Sequence, residues 1–291
     1  MQKVLIIGGN GMLGHKLLQV LSPEFEAYVT LRGPFAGYEK FERFSGSRTF
    51  DNVDLMETGP IDGVLRELKP NVVINAAGII KQVQSASSVI ETLTINSILP
   101  HRLAALSSQL GFRLITISTD CVFSGSKGNY SEEDNSDAAD LYGKSKNLGE
   151  VMEGNCLTLR TSIVGRELGT KHGLLEWFLQ NRGGKVKGYS KAIFTGFPTV
   201  AFSRIIRDIL VDHANLSGLY HVSSDAISKL DLLRLIDDRL RTNIEIEPIE
   251  DVRIDRSLNS ERFRSATGFR PTPWREMIDQ LADDSDGYDA K

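Results

Sequence analysis

The chain has 291 residues, of which 41% are hydrophobic and 25% are charged, and these ordinary globular values exclude global disorder. Its 34 basic and 38 acidic residues give a net charge of -4 without a basic block, so neither a nucleic acid nor an anionic membrane is an expected partner. Two cysteines, Cys121 and Cys156, are too few for a disulfide framework and favour a reducing compartment.

The first apolar run, residues 4–7, is too short for the apolar core of a signal peptide, because glycines follow it at once. No stretch of about 18 apolar residues occurs in the sequence, so we expect no transmembrane helix. These patterns predict a soluble, cytoplasmic protein.

The first half of the chain alternates short apolar runs with longer amphipathic stretches. The apolar runs, each expected to form a strand, are residues 4–7, 27–31, 72–75, 114–118 and 156–160. The amphipathic stretches, each expected to form a helix, are residues 12–21, 61–68, 97–110 and 144–152. Continuous apolar strands separated by helices are typical of parallel βαβ units. The order therefore predicts an α/β fold with a Rossmann-type, doubly wound parallel sheet.

The pattern changes after residue 161, which predicts a smaller C-terminal α/β substrate-binding region. Helices are expected at 174–180, 201–213 and 230–240, and strands at 218–222 and, near a sheet edge, at 244–248. We predict a dinucleotide-binding domain over 1–165 that also receives 195–222. The substrate-binding region then comprises 166–194 and 223–282, and the acidic residues 283–291 form a flexible tail.

Glycines follow the first predicted strand in Gly8-Gly9-Asn10-Gly11-Met12-Leu13-Gly14. They match G-x-G-x-x-G from Gly9 and G-x-x-G-x-x-G from Gly8. Between a strand and a helix, such a turn lets the backbone approach a pyrophosphate at the helix amino terminus. The motif predicts a dinucleotide site; the alternative is a glycine-rich turn with no ligand.

The second predicted strand ends in Leu31-Arg32-Gly33, where a dinucleotide fold often has a carboxylate for the ribose hydroxyls of NAD. Arg32 instead suits a 2′-phosphate and favours NADPH over NADH, although a solvated surface arginine is the alternative. Asp51, in the segment 50–54, is expected near the adenine, or alternatively as the cap of the next helix.

Tyr142 and Lys146 are four residues apart, which places them on one face of a helix. An ammonium group beside a phenol favours the phenolate and makes it a usable acid or base near neutral pH. Ser118-Thr119-Asp120 follows a predicted strand, at the sheet edge where ligands bind in such folds. A hydroxyl there can donate a hydrogen bond to a carbonyl oxygen.

Together these motifs resemble the extended short-chain dehydrogenase/reductase family. The matching residues are Gly8, Gly11, Gly14, Asn75-Ala76-Ala77-Gly78, Ser118-Thr119-Asp120, Tyr142 and Lys146. Residues 118–125 (STDCVFSG), 159–162 (LRTS) and 196–199 (GFPT) resemble blocks of the dTDP-4-dehydrorhamnose reductase subgroup. The resemblance extends over essentially residues 1–280.

The resemblance implies that NADPH, or alternatively NADH, reduces the C4 ketone of a dTDP- or UDP-linked 4-keto-6-deoxysugar. Tyr142 would protonate the developing alkoxide, Lys146 would hold the nicotinamide ribose and tune Tyr142, and Thr119 would bind the reacting oxygen. The expected cofactor contacts are Gly8, Asn10, Gly11, Met12, Leu13, Gly14, Arg32, Asp51, Val53, Ala76, Ala77, Gly78, Asn96, Tyr142 and Lys146. A homodimer and a role in deoxysugar or cell-surface polysaccharide biosynthesis are also implied.

Two positions depart from the rhamnose subgroup. Its V-D-x-A-E segment is replaced by residues 79–84 (IIKQVQ), and its tryptophan after L-R-T-S is Ile163. The expected substrate contacts are Lys81, Ser118, Asp120 and Arg256. The alternative for Lys81 is a plain surface lysine, and the alternative for Arg256 is a solvated helix start at Asn259 or Ser260.

Other functions of the same family are weaker matches. A 4,6-dehydratase needs a glutamate where this chain has Cys121, and an epimerase usually has a serine-rich block that is absent. A non-catalytic NADP-binding regulatory subunit, like that of methionine adenosyltransferase, does not need Thr119, Tyr142 and Lys146 together. The five histidines show no metal-ligand spacing, so no metal site is predicted.

Overall fold

A computed structural model describes residues 1–41, 44–80, 88–284 and 288 of the protein. Its strands are β1 (Lys3–Ile7), β2 (Glu26–Thr30), β3 (Thr49–Phe50), β4 (Val72–Asn75), β5 (Arg113–Thr119), β6 (Cys156–Thr161), β7 (Ile163–Val164), β8 (Lys185–Tyr189), β9 (Ala192–Phe194), β10 (Phe197–Pro198), β11 (Gly218–His221), β12 (Ile227–Ser228), β13 (Glu245–Ile249) and β14 (Ile254–Asp255). Its α-helices are α1 (Gly14–Leu21), α2 (Gly59–Leu68), α3 (Val89–Leu93), α4 (Leu99–Leu110), α5 (Leu141–Leu148), α6 (Leu174–Gln180), α7 (Thr199–Asp212), α8 (Lys229–Leu240), α9 (Glu261–Thr267) and α10 (Trp274–Asp283).

Seven strands form the central sheet in the order β11-β6-β5-β4-β1-β2-β3. The pairs β1–β2, β2–β3, β1–β4 and β4–β5 are parallel. The apolar run of β1 and all of β4 are buried, as expected for strands that are covered on both faces. The predicted Rossmann-type α/β class is confirmed.

The strand order reverses at β1. The chain passes outward from β1 to β2 and β3, and then returns to place β4 on the other side of β1. In open α/β sheets this reversal opens a crevice at the carboxyl ends of the two central strands, and ligands bind there. Gly8 follows β1 directly and Ala76 follows β4, so both lie at this crevice.

The helix expected at 144–152 begins earlier and ends earlier, as α5 (Leu141–Leu148). The Asp140 carboxylate accepts the Gly143 N–H at 2.9 Å and caps the first turn. The helix ends at Gly149, where a Cβ would lie 1.9 Å from the Asn96 carbonyl oxygen. A side-chain cap and a close backbone contact therefore determine the two ends of α5.

Contacts divide the chain into two compact units. The first comprises Met1–Ser118, Asp140–Leu159 and Ser203–Leu219, and the second comprises Thr119–Ala139, Arg160–Phe202 and Tyr220–Lys291. The two sets of residues differ from the predicted domains mainly at 119–139, which belong to the second unit. The predicted boundaries at 165 and 195–222 stay predictions, and residues 285–287 and 289–291 of the predicted tail lie outside the described residues.

The second unit contains the edge strand that was predicted at 244–248, here β13. It pairs in parallel with β8, with Glu245 opposite Lys185. No strand was predicted at β8, although its side chains alternate between exposed and buried positions, a period of two that is typical of a strand.

Candidate active site

The glycine-rich turn brings the chain after β1 against the chain after β4. Gly8 has φ +83, and a Cβ there would lie 3.0 Å from the backbone N and Cα of Ala77. A Cβ at Gly14 would lie 2.0 Å from the Gly8 carbonyl oxygen. Gly8 requires glycine because of its left-handed backbone and its close approach to Ala77, and Gly14 requires it because a Cβ would collide with the Gly8 carbonyl. The turn opens directly into α1, the context in which a glycine motif binds phosphates.

A pocket lies at the crevice where the strand order reverses; we call it the switch-point pocket. Predicted cofactor residues that line it are Gly8, Asn10, Gly11, Arg32, Val53, Ala76, Ala77 and Gly78. Lining residues that the sequence patterns did not identify are Thr30, Asp54, Leu55, Met56, Ile79, Glu91 and Ile95. The pocket is concave, and its lining belongs entirely to the first compact unit.

Several residues predicted to contact a cofactor are outside this lining. Leu13 is buried in the core, and Met12 and Gly14 are beside the pocket residues in sequence. The Asp51 carboxylate accepts the Phe35 N–H at 2.8 Å, so it holds the loop after β2, and the next α-helix begins only at Gly59. The alternative helix-cap role predicted for Asp51 is therefore wrong.

Arg32 extends from the end of β2 into the pocket lining. Its Nη1 lies 3.4 Å from Glu91 Oε1, and 67% of the Arg32 side chain is exposed against 18% for Glu91. Because the arginine end of this ion pair is exposed to solvent, the pair contributes little free energy, about 0–1 kcal/mol, and Arg32 can exchange it for another anion. The guanidinium is thus available to a phosphate in the pocket.

Asn96 connects the pocket to α5. Its Oδ1 accepts the Ile79 N–H at 2.8 Å, and its Nδ2 donates to the Ile79 carbonyl at 3.0 Å and to Ser145 Oγ at 3.1 Å. Ser145 Oγ in turn donates to the carbonyl of Tyr142 at 2.9 Å. Asn96 lies in a π-helical turn, Thr94–Ile98, a distortion that is frequent at functional sites. Asn96 therefore fixes α5 relative to the chain that follows β4.

Tyr142 and Lys146 occupy one face of α5, one turn apart. Tyr142 is half-buried, and the buried Lys146 ammonium donates to the Ile117 carbonyl at 2.7 Å. Burial lowers the pKa of Lys146 to about 8, and the Glu150 carboxylate opposes that shift. At neutral pH the lysine is thus largely protonated, which is the state needed to favour a nearby phenolate.

Ser118, the residue after Ile117, is one of the predicted substrate contacts. Its hydroxyl donates to Glu150 Oε1 at 2.6 Å within the first unit. Lys81, another predicted substrate contact, lies outside the described residues.

In the second unit, Thr119 Oγ1 accepts the Cys121 N–H at 3.1 Å and donates to Asp120 Oδ1 at 3.2 Å. Burial raises the pKa of Asp120, against the opposing charge of Arg256. Burial and the Asp120 charge raise the pKa of the Cys121 thiol to about 12, so that it stays protonated and is no nucleophile. Arg256 Nε donates to the Phe123 carbonyl at 2.7 Å, which orients this predicted substrate residue.

Metal sites and membrane-spanning helices are both absent from the described residues, 1–41, 44–80, 88–284 and 288. Within them no group of three or more His, Cys, Asp or Glu side chains is arranged to hold a metal ion. No helix in the same ranges is long and apolar enough to cross a membrane.

Comparison with known proteins extends over nearly the whole chain. Residues 1–286 match the family model described as the RmlD substrate binding domain. The spore coat polysaccharide biosynthesis protein SpsK of Bacillus subtilis is 27% identical over 293 residues, 96% of each chain. The dTDP-4-dehydrorhamnose reductase of Aggregatibacter actinomycetemcomitans is 23% identical over 305 residues, 97% of this chain and 98% of that protein.

Among solved structures, the dTDP-4-dehydrorhamnose reductase of Bacillus anthracis is similar, with a TM-score of 0.80 at 23% sequence identity. The match covers 98% of this chain and 100% of that one. At this identity the likeness shows the fold, and it agrees with the match to the family model over residues 1–286. On the sequence match and the shared architecture, the chain belongs to the RmlD substrate binding domain family.

Proposed function

We propose that this protein is an NADPH-dependent oxidoreductase that reduces the C4 ketone of a nucleotide-linked 4-keto-6-deoxysugar. The observation that carries the proposal is the buried Lys146 ammonium, one helical turn from Tyr142, in the same unit as the switch-point pocket. Burying a charged lysine costs free energy. One helical turn from it, Tyr142 is the acid that carbonyl reduction requires.

The switch-point pocket fits a dinucleotide phosphate. Gly8 and Gly14 let the backbone approach closely where any Cβ would clash, and Arg32 lines the same pocket. NADPH supplies the hydride when bound, and Arg32 would bind its 2′-phosphate; NADH is the alternative donor. The Bacillus anthracis reductase, whose fold is similar, was solved in complex with NADP.

The catalytic roles follow from the chemistry of three side chains. Tyr142 donates a proton to the oxygen of the ketone as it is reduced. Lys146 holds the nicotinamide ribose. As an ammonium ion, it also favours the phenolate that Tyr142 becomes after it donates its proton. Thr119 binds the reacting oxygen by a hydrogen bond. Asn96 orients α5 through Ser145, and Ser118, Asp120, Arg256 and Lys81 are proposed to contact the substrate.

The substrate is proposed to be a dTDP- or UDP-linked sugar. The names of two relatives support this class, because one is a dTDP-4-dehydrorhamnose reductase and the other acts in spore coat polysaccharide biosynthesis. We therefore assign a reduction in deoxysugar and cell-surface polysaccharide biosynthesis, in the cytoplasm.

The test is NADPH oxidation in the presence of a panel of dTDP- and UDP-linked 4-keto-6-deoxysugars. Turnover of one member is expected, with a loss of roughly 100- to 10,000-fold in Tyr142→Phe, the range for removal of a general acid. Tight NADPH binding without turnover of any member would refute the reductase and support a regulatory subunit instead.

A homodimer is part of the same proposal. Large apolar side chains are exposed on α3, on α5 and at the end of the π-helical turn, among them Ile90, Ile98 and Leu148. Light scattering on the purified protein should give twice the mass of one chain, and Ile90→Ser combined with Leu148→Ser should return it to one. A monomer in the unaltered protein at micromolar concentration would contradict the dimer.

A further inference from the structure

We infer that Glu150 is a positioning residue of the active site, which keeps Lys146 as an ammonium ion and fixes it against strand β5. The inference rests on the proposed function for its catalytic meaning. The effect of the Glu150 carboxylate on the protonation of Lys146 involves two side chains of the same compact unit, so it can be tested without any substrate.

The contacts of the two side chains converge on consecutive residues of β5. Lys146 Nζ donates to the Ile117 carbonyl at 2.7 Å, and Ser118 Oγ donates to Glu150 Oε1 at 2.6 Å. The hydroxyl of Ser118 therefore holds the Glu150 carboxylate at the residue next to Ile117, whose carbonyl accepts the bond from Lys146. Glu150 itself is anchored at its backbone, where its N–H donates to the Asn147 carbonyl at 3.2 Å.

The close packing of Gly149 restricts where Glu150 can go. A Cβ at Gly149 would lie 1.9 Å from the Asn96 carbonyl oxygen, so α5 ends against the π-helical turn. Glu150 follows Gly149 directly, and the Ser118 hydroxyl holds its carboxylate at the end of β5. The carboxylate is therefore attached to a chain segment whose backbone is closely packed.

Among the charged groups that the structure describes around Lys146, the Glu150 carboxylate is the one that raises its pKa. Burial penalises the ammonium and is the larger influence on its pKa, while the Glu150 charge opposes that penalty. Glu91, on a helix packed against α5, is paired with Arg32, and Arg113 is at the opposite end of β5. The other ionisable side chains of α5, its cap and the adjoining α4 are Asp140, Tyr142, Lys144, His101 and Arg102, and Arg102 is paired with Asp62.

Loss of Glu150 should therefore favour neutral lysine near neutral pH. A neutral lysine no longer favours the phenolate of Tyr142 and binds ribose hydroxyls more weakly. Because Lys146 works as the ammonium, activity falls as pH rises through its pKa. Removing the Glu150 charge lowers the pKa of Lys146 and therefore moves this loss of activity to lower pH.

The first experiment follows Lys146 by NMR in protein that carries 13C-labelled lysine, with Lys146→Met to assign the resonance. In the unaltered chain the Lys146 signal should titrate near pH 8, and in Glu150→Gln its midpoint should move to lower pH. Glu153→Gln makes the same chemical change at an exposed position three residues on and should leave the midpoint unchanged. An unchanged midpoint in Glu150→Gln, or an equal shift in Glu153→Gln, overturns the inference.

The second experiment measures kcat as a function of pH with the sugar nucleotide of the panel that the protein reduces. We expect the alkaline limb to move to lower pH in Glu150→Gln and to return toward its original position in Glu150→Asp, which restores the charge. A uniform loss of kcat at every pH would indicate a merely structural role and count against the inference. If no sugar nucleotide is turned over, the proposed function fails while the NMR titration still decides the role of Glu150.

Discussion

Arg32 Nη1 and Glu91 Oε1 lie 3.4 Å apart in the lining of the switch-point pocket, although 59 residues separate them in the chain. The arginine is the one expected to bind a 2′-phosphate, and the glutamate brings a negative charge to the same place. The pair therefore balances two opposing influences on cofactor choice, which can be changed one at a time.

Replacing Arg32 by alanine should weaken the binding of NADPH more than the binding of NADH. A charge-assisted hydrogen bond to a phosphate contributes about 1.5–3 kcal/mol, so the Kd for NADPH should rise roughly 10- to 100-fold. Titration of tryptophan fluorescence or calorimetry with each cofactor measures both values. Equal weakening of NADPH and NADH would show that Arg32 does not contact the 2′-phosphate.

Replacing Glu91 by glutamine should strengthen NADPH binding and leave NADH nearly unchanged. The substitution keeps the shape of the side chain, removes a charge that would repel a 2′-phosphate, and releases Arg32 from its ion pair. The same binding titrations apply, and the gain should diminish at high salt because exposed charges are screened. Glu67→Gln, an equal change on the exposed side of α2, is the control.

Replacing Gly14 by alanine should disrupt the glycine-rich turn, whereas Gly11→Ala should be milder. The new Cβ would lie 2.0 Å from the Gly8 carbonyl oxygen in the first case and 3.2 Å in the second. We expect Gly14→Ala to lower the free energy of unfolding by about 1–3 kcal/mol and to abolish cofactor binding. Denaturant unfolding and a cofactor titration on both variants test this; similar losses in the two would exclude the clash as the cause.

The pH dependence of stability should depend on His221 in the second unit. Its Nδ1 lies 2.9 Å from the Tyr130 carbonyl and its Nε2 3.1 Å from Arg160 Nη1. Burial, followed by the Arg160 charge, lowers the pKa of His221 from 6.5 to about 3. Between pH 6.5 and about pH 3, His221 is therefore protonated in the unfolded chain but neutral in the folded chain. The free energy of unfolding falls as pH falls through this interval.

In His221→Gln this contribution, about 1.4 kcal/mol per pH unit within that interval, should disappear. Urea unfolding at pH 7 and pH 5 measures the difference for each protein. His172→Gln, at an exposed histidine of the same unit, should keep the original pH dependence. The account of His221 fails if the two variants behave alike.

Local sequence patterns were sufficient for the parallel sheet and for the motif positions. Four consecutive apolar residues followed by glycines are typical of a buried strand that ends in a tight turn, so β1 and the turn at Gly8 were predictable. The same holds for the one-turn spacing of Tyr142 and Lys146. These features depend on residues that are close together in the chain.

The rest of the site depends on residues that only the fold brings together. Glu91 and Ile95 enter the switch-point pocket from a segment remote from the glycine motif, and no local pattern connects them to it. Glu150 matters because Ser118, 32 residues earlier, binds its carboxylate at the end of a neighbouring strand. The sequence by itself determined which groups could do chemistry, whereas tertiary packing decided which charges stand beside them, because electrostatic effects act through space and not along the chain.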